Sequence, residues 1–323
     1  MESEPSENAL DFLRNSAELP PKEKRKGPGR PPKLPPAPFV EKKGVGDEPS
    51  SPDSILELSY DRPQDFKGIF MYFKNLKARD IHVRCRKNKI LFFARDHSEL
   101  ARTVASIDCN KVNWYYCGEE ELCFGINQEN VEKIFSSIDK KFYKLALVMS
   151  RFDRDHLDIV FRNAIIEREC RYQIVLSNFD ADSDLYASET MLTEDALNSF
   201  KVSFTLDAKD FKKSVTDIFN YSPIMTIEKF GPLPMQITYT MLNLHQYNEV
   251  YRNPKKISLK SDIEDSESFT CTMNTTIVKS VASSMVTDET CIMCRRNDIL
   301  FRSTIDGTGV EICTFIRADQ DSQ

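Results

Sequence analysis

Apolar and polar positions follow two rhythms along this chain, and the rhythms alternate in a fixed order. Phe66, Ile69, Phe70, Phe73 and Leu76 fall at i, i+3, i+4, i+7 and i+10, which is one face of a helix. A short strand-like run, "LELSY", and a turn precede them. The same arrangement returns in "VSFTLDAKDFKKSVTDIFN", where Phe211, Val215, Ile218 and Phe219 share a face and Phe211 lies 145 residues after Phe66. A second pair of helices is predicted over 127–139, with Val131, Ile134, Phe135 and Ile138 on one side, and over 273–285, with Ile277 and Val281. Lys133 and Lys279 are 146 apart, and the halves close on the matching strands "DIVFRN" and "DILFRS". Three matches in the same order, two at nearly one offset, indicate an internal duplication. Between the helices, alternating runs such as "DIHVRCRKNKILFFARD" and "KLALVMS" suit mostly antiparallel sheets joined by tight turns. The fold class expected is α+β, with two repeats of roughly 120 residues.

Composition divides the chain further. Of the 16 prolines, 11 lie before Ser54, where neither rhythm is sustained. Such a stretch cannot bury enough apolar surface to offset its ordering entropy, so residues 1–54 are expected to be a disordered tail. The repeats are expected over 55–176 and 201–318, leaving 319–323 as a short end. Between them, 177–200 carries six acidic residues and no basic one, which predicts an exposed connector.

The chemistry-bearing patterns are few. The 9 cysteines are scattered with no disulfide-framework spacing, which suits a reducing compartment. The 4 histidines show no metal-ligand spacing, and Cys291-Ile-Met-Cys294 lacks a second pair. "DADSD" at 180–184 begins like a calcium loop, but Leu185 and Met191 stand where glycine and glutamate are needed. There is no phosphate-cradling P-loop and no nucleophile elbow. These observations predict no catalytic residue, no metal and no cofactor, and no apolar run reaches the roughly 18 residues of a membrane span.

Lysines, by contrast, recur on the helices. Lys209 and Lys213 oppose the apolar stripe of their helix, as do Lys133, Lys140 and Lys279, while Lys67 and Lys74 sit on a shoulder. Each repeated helix therefore buries one side and offers lysine on another, within a chain of net charge −6. Taken alone this is the pattern of an ordinary solvated helix face; it gains weight because all four repeated helices show it within an acidic chain.

The duplicated unit, its lysine-bearing helices and its acidic connector together resemble the DNA sliding clamps, the proliferating cell nuclear antigen family. "ILFFARDHSELARTVASI" resembles the family's strand, turn and returning strand, and "LCFGINQENVEKIFSSID" its approach to the second helix. The likeness spans about residues 55–318 and is strongest to the divergent clamp-like proteins of large DNA viruses. It implies a homotrimeric ring of six domains, with helices lining a hole for double-stranded DNA and sheets outside. It implies a non-enzymatic processivity factor for a viral DNA polymerase, with other replication or repair proteins as partners. The place of action would be a cytoplasmic viral replication site or the host nucleus. The DNA-facing positions implied are Lys67, Lys74, Lys77, Lys133 and Lys140, with Lys209, Lys212, Lys213 and Lys279 on the corresponding helices of the second repeat. Subunits would meet between the strand of Leu157, Ile159 and Phe161 and that of Tyr247 and Val250. Partner docking would fall at Ser98, Leu100 and Phe179, although "DHSEL" departs from the family's turn.

The tail holds "KRKGPGRPPK", in which Lys24, Arg25, Lys26 and Lys33 flank Gly29, Arg30 and Pro31. This resembles an AT-hook: prolines hold the peptide extended, glycine permits close approach, and Arg30 can enter a narrow minor groove. A nuclear address would use the same basic residues without needing Gly-Arg-Pro. Two functional classes follow, a processivity clamp or an AT-hook architectural or regulatory DNA binder whose body contacts proteins; a nuclease is a third. The mass of the assembly separates the first two.

Overall fold

The computed structural model describes residues 44–138, 142, 144–163, 165, 167–177, 183–190, 192–230, 233–240, 246–250, 258–261, 267–295, 298–305 and 308–317. The basic stretch Lys24–Lys33, Lys140 and Phe179 lie outside these residues.

The first repeat begins with β1 (Gly44–Val45) and β2 (Ser54–Tyr60) and enters α1 (Pro63–Asn75). Proline opens this helix where no N–H is needed, Asp65 lies in its first turn and Lys74 in its last, each complementing the helix dipole. There follow β3 (Asp80–Arg86), β4 (Lys89–Arg95), β5 (Ala101–Asp108), β6 (Trp114–Cys117) and β7 (Glu121–Asn127). Asn127 then caps α2 (Gln128–Ser136) by accepting from the Asn130 amide, and β8 (Lys144–Ser150), β9 (His156–Asn163) and β10 (Arg168–Val175) complete the repeat. Two short helices, α3 (Ser183–Thr190) and α4 (Glu194–Asn198), form the connector. The second repeat runs β11 (Val202–Asp207), α5 (Ala208–Tyr221), β12 (Ile224–Phe230), β13 (Gln236–Thr240), β14 (Gln246–Val250), β15 (Ser258–Ser261) and β16 (Ser268–Asn274). It ends with α6 (Thr275–Ser284), β17 (Glu289–Arg295), β18 (Asp298–Ile305) and β19 (Val310–Arg317). All four lysine-bearing helices thus form where the periodicity predicts them.

Strand order is β1-β6-β2-β8-β9-β10 in one sheet and β14-β13-β12-β16 in another. A third sheet, β15-β11-β17-β18-β19-β5-β4-β3-β7, passes through both repeats. Its joint is the antiparallel pair β19–β5, running from Val310 opposite Ile107 to Ile316 opposite Ala101. In the first repeat the helices bury an aromatic cluster: Phe135 lies 4.7 Å from Phe70 and 5.3 Å from Phe161, centroid to centroid, and Phe66 meets Phe92 edge-on. Beneath the joint, the Thr314 hydroxyl is shared by Tyr72, at 2.7 Å, and Thr103, at 2.8 Å, all three side chains being buried. Helix α1 is thereby tied to both halves.

Two expectations are corrected. The tail ends earlier than its composition implies, because residues 44–54 are built into the fold. Gly44 and Val45 pair parallel to β6, and Gly46 lies flat against Trp114, where a Cβ would fall 1.9 Å from the indole ring. Glu57 secures this strap. Its carboxylate accepts from the Ser50 amide at 2.8 Å, the Ser51 amide at 2.9 Å and the Trp114 indole at 3.0 Å. Burial by itself pushes the Glu57 carboxyl up, but these donors outweigh burial and hold it below its ordinary 4.5. A depressed folded-state value stabilises the fold above the unfolded value, and the benefit is lost as pH falls through the folded one. Glu57→Gln should therefore lose about 1–3 kcal/mol at neutral pH. Its melting temperature should also fall less than the wild type's on acidification below pH 4.5, as followed by circular dichroism.

The connector is the second correction: it is docked, not free. Leu185 is buried with Leu91, Phe93 and Val104, and Phe200 with Leu300, Cys313 and Phe315. Alternate residues on β4, Ile90 and Phe92, face the helix-covered core, so the connector covers the opposite side of the nine-stranded sheet. Glu189 fastens it, pairing with Arg86 at 2.6 Å and Arg84 at 3.1 Å.

Candidate nucleic-acid interface

Helices α1 and α2 pack together, α5 and α6 pack together, and α1 meets α6 across the joint. Their outward sides carry the lysines expected from the sequence, but the lysines are not equivalent. Lys74 Nζ lies 2.8 Å from Glu132 on the neighbouring helix, and Lys133 Nζ lies 2.6 Å from Glu129 one turn back. The Lys67 ammonium donates to the Ser136 carbonyl at 3.3 Å, and Lys209 reaches Asp288 at 3.4 Å. Each of these cations already has an acceptor. The exposed pairs add at most about 1 kcal/mol to stability, yet each lowers the charge presented to an anion. Lys212 and Lys213 are exposed and form no ion pair among the described residues. Lys279 Nζ sits 3.6 Å above the Phe219 ring, and Lys77 follows α1 in the left-handed region, φ 58°. That turn is closed by the Lys77 amide on the Lys74 carbonyl and the Ala78 amide on the Phe73 carbonyl.

The proposed subunit strands are also redistributed. Leu157, Ile159 and Phe161 lie on β9, which pairs with β8 on one side and β10 on the other, and all three side chains are buried. They have no free edge to offer. On that side the sheet ends at β10, the edge strand next to β9. The Leu176 amide donates to the Asp155 carbonyl, continuing the β9–β10 register. Backbone groups of even-numbered residues therefore point to β9, and those of Glu169, Arg171, Gln173 and Val175 point outward. Tyr247 and Val250 do lie on an edge strand, β14.

At the expected docking turn, the Asp96 carboxylate accepts from the Ser98 and Ala101 amides, at 3.1 and 2.7 Å, and from the Ser98 hydroxyl. The polar groups of Ser98 are spent inside the turn, and Leu100 packs on the core. Among the described residues no cluster of histidine, cysteine or carboxylate groups could hold a metal, and the nine cysteines are free. Burial pushes the thiols of Cys85 and Cys313 well up, which keeps them protonated and inert. No helix among these residues is long and apolar enough to cross a membrane.

Two sheet-and-helix repeats joined by a strand pair, with four helices on one side, define the DNA sliding-clamp fold. The crystal structure of proliferating cellular nuclear antigen from Entamoeba histolytica matches with a TM-score of 0.67, covering 82% of this chain and 99% of that one at 13% identity. The proliferating cell nuclear antigen of Chaetomium thermophilum is 21% identical over 251 residues, 76% of this chain and 90% of that protein. An uncharacterized protein of African swine fever virus is 40% identical over 285 residues, 87% of this chain and 94% of its own length. The chain belongs to the family of that viral protein, a divergent branch with the clamp fold. No protein-family model matches it.

Proposed function

We propose that the chain is a non-catalytic DNA sliding clamp: three copies close head to tail around duplex DNA and tether a viral polymerase to its template. The observation that carries this is the joint β19–β5. In the repeat, β10 occupies the place of β19 and β14 the place of β5, each last or third in its own run of sheet strands. Within the chain β19 and β5 pair; β10 and β14 are left as edges. The same joint made between copies uses both edges, continues the sheets and closes after six repeats, whereas unpaired edges invite aggregation. Phosphate contacts from the helices carry no sequence information, which permits sliding. The viral origin of the 40%-identical relatives supports a viral polymerase as the enzyme served. The basic tail adds a second, minor-groove contact.

The test is topological. Light scattering should give three times the 37.2 kDa chain mass. Protein placed on nicked circular DNA should stay, and should run off once the circle is cut. A monomer at micromolar concentration, or metal-dependent cleavage of the DNA by the pure protein, would sink the proposal.

A further inference from the structure

We infer that a pocket between α1, α5 and α6 seats a phosphate of the encircled duplex and supplies most of the ring's electrostatic grip. This rests on the clamp reading above and departs from the even spread of lysine contacts that the sequence suggests. The pocket has a volume of about 510 Å³. That is well above the roughly 10–15 Å³ of such space that one water needs, so a hydrated phosphate fits. Lys77 enters it from the end of α1, Lys212 and Phe219 from α5, and Thr276 and Lys279 from α6. No carboxylate lines it.

The lysine environments separate the two groups. Lys74, Lys133 and Lys209 face carboxylates, so an arriving phosphate must displace an existing partner, and each pair is neutral overall. A neutral pair releases few counterions from DNA, and counterion release sets the salt dependence of binding. Lys77, Lys212 and Lys279 form no ion pair among the described residues and converge on one space. Phe219 is a positioning residue: its ring holds the Lys279 ammonium at 3.6 Å without neutralising it. Lys77 occupies a left-handed position that glycine would fill with less strain, and the side chain it brings is a cation at the pocket.

The experiment measures duplex binding by fluorescence anisotropy across a salt series, with trimer mass as a control on each variant. The triple variant Lys77→Ala, Lys212→Ala, Lys279→Ala should reduce the slope of log K against log salt by about 1–3. The variant Lys74→Ala, Lys133→Ala, Lys209→Ala, whose lysines each face a carboxylate, should reduce the slope by less than half as much. Phe219→Leu should weaken binding severalfold at low salt, and Phe219→Tyr should restore it. Lysine acetylation read by mass spectrometry should show Lys77, Lys212 and Lys279 protected by DNA more than Lys74 and Lys133. A wild-type slope in the pocket variant, or an equal loss in the other, overturns the pocket while leaving the clamp intact. A trimeric wild type that binds no duplex overturns both.

Discussion

Gln173→Pro should produce a folded monomer. Gln173 projects its amide away from β9 into the seam proposed between copies, as the Leu176–Asp155 bond fixes by register. Proline there removes an outward donor and places its ring where the neighbouring strand must lie, while every bond from β10 to β9 survives. Edge strands tolerate proline; interior strands do not, and in the proposed ring β10 would become interior. The Gln173 side chain also bonds Asp158, so Gln173→Ala is the control for that contact and should remain trimeric. Tyr172→Pro, one residue away, removes an amide directed at β9 and should destabilise the subunit itself. Light scattering and thermal melting together read the outcome. An unchanged trimer of Gln173→Pro would place the seam elsewhere.

Arg30→Ala should erase a preference for A·T-rich over G·C-rich duplex and leave the sequence-blind binding of the ring. A·T tracts have the narrow, strongly negative minor groove that favours an inserted arginine, and the flanking lysines meet phosphates on any sequence. A loss of about tenfold on A·T-rich duplex corresponds to about 1.4 kcal/mol, the size of one good contact. The strap makes the geometry workable. Gly44 bonds the Asn113 carbonyl, and Asn113 in turn exchanges two hydrogen bonds with Asp61 at the entry to α1. The described residues thus begin beside the entry to α1, and in the clamp reading a tail attached there would raise the local concentration of Arg30 about DNA in the ring. Competition binding on the two duplexes measures it. Equal loss on both would leave a generic basic tail.

Local pattern carries most of the fold. The helix stripes around Phe66, Val131, Phe211 and Val281 are readable because a helix with one buried side repeats at 3.6 residues whatever it packs on. The strand of Leu157, Ile159 and Phe161, which the family resemblance implies as a subunit contact, is paired on both sides within its own sheet, and composition already separates it from the edge strand beside it. "HLDIVFRN" is apolar since it is central in its own sheet, whereas "RECRYQIV" is polar as edge strands are. The Glu129–Lys133 pair is written in the sequence at i, i+4, but Lys74–Glu132 joins two helices 58 residues apart and only packing shows it. The docked connector has a local trace, since Leu185 and Leu192 recur at i and i+7. Its acidic composition outweighs that trace, and Glu189 meets Arg84 and Arg86 only after β3 is folded.

The connector also decides where such a ring would break. The joint β19–β5 is held by more than its strand ladder: Leu185 grips the β5 side, Phe200 the β19 side, and the chain running between them is continuous. In the proposed ring the joint between copies would have no tether. On dilution, mass action acts on the untethered joints alone, while each covalent one reforms as fast as it opens. The species released from the proposed ring would be the single subunit of two repeats. Loading of the proposed ring would then follow from assembly of subunits around DNA, at a rate that rises steeply with protein concentration.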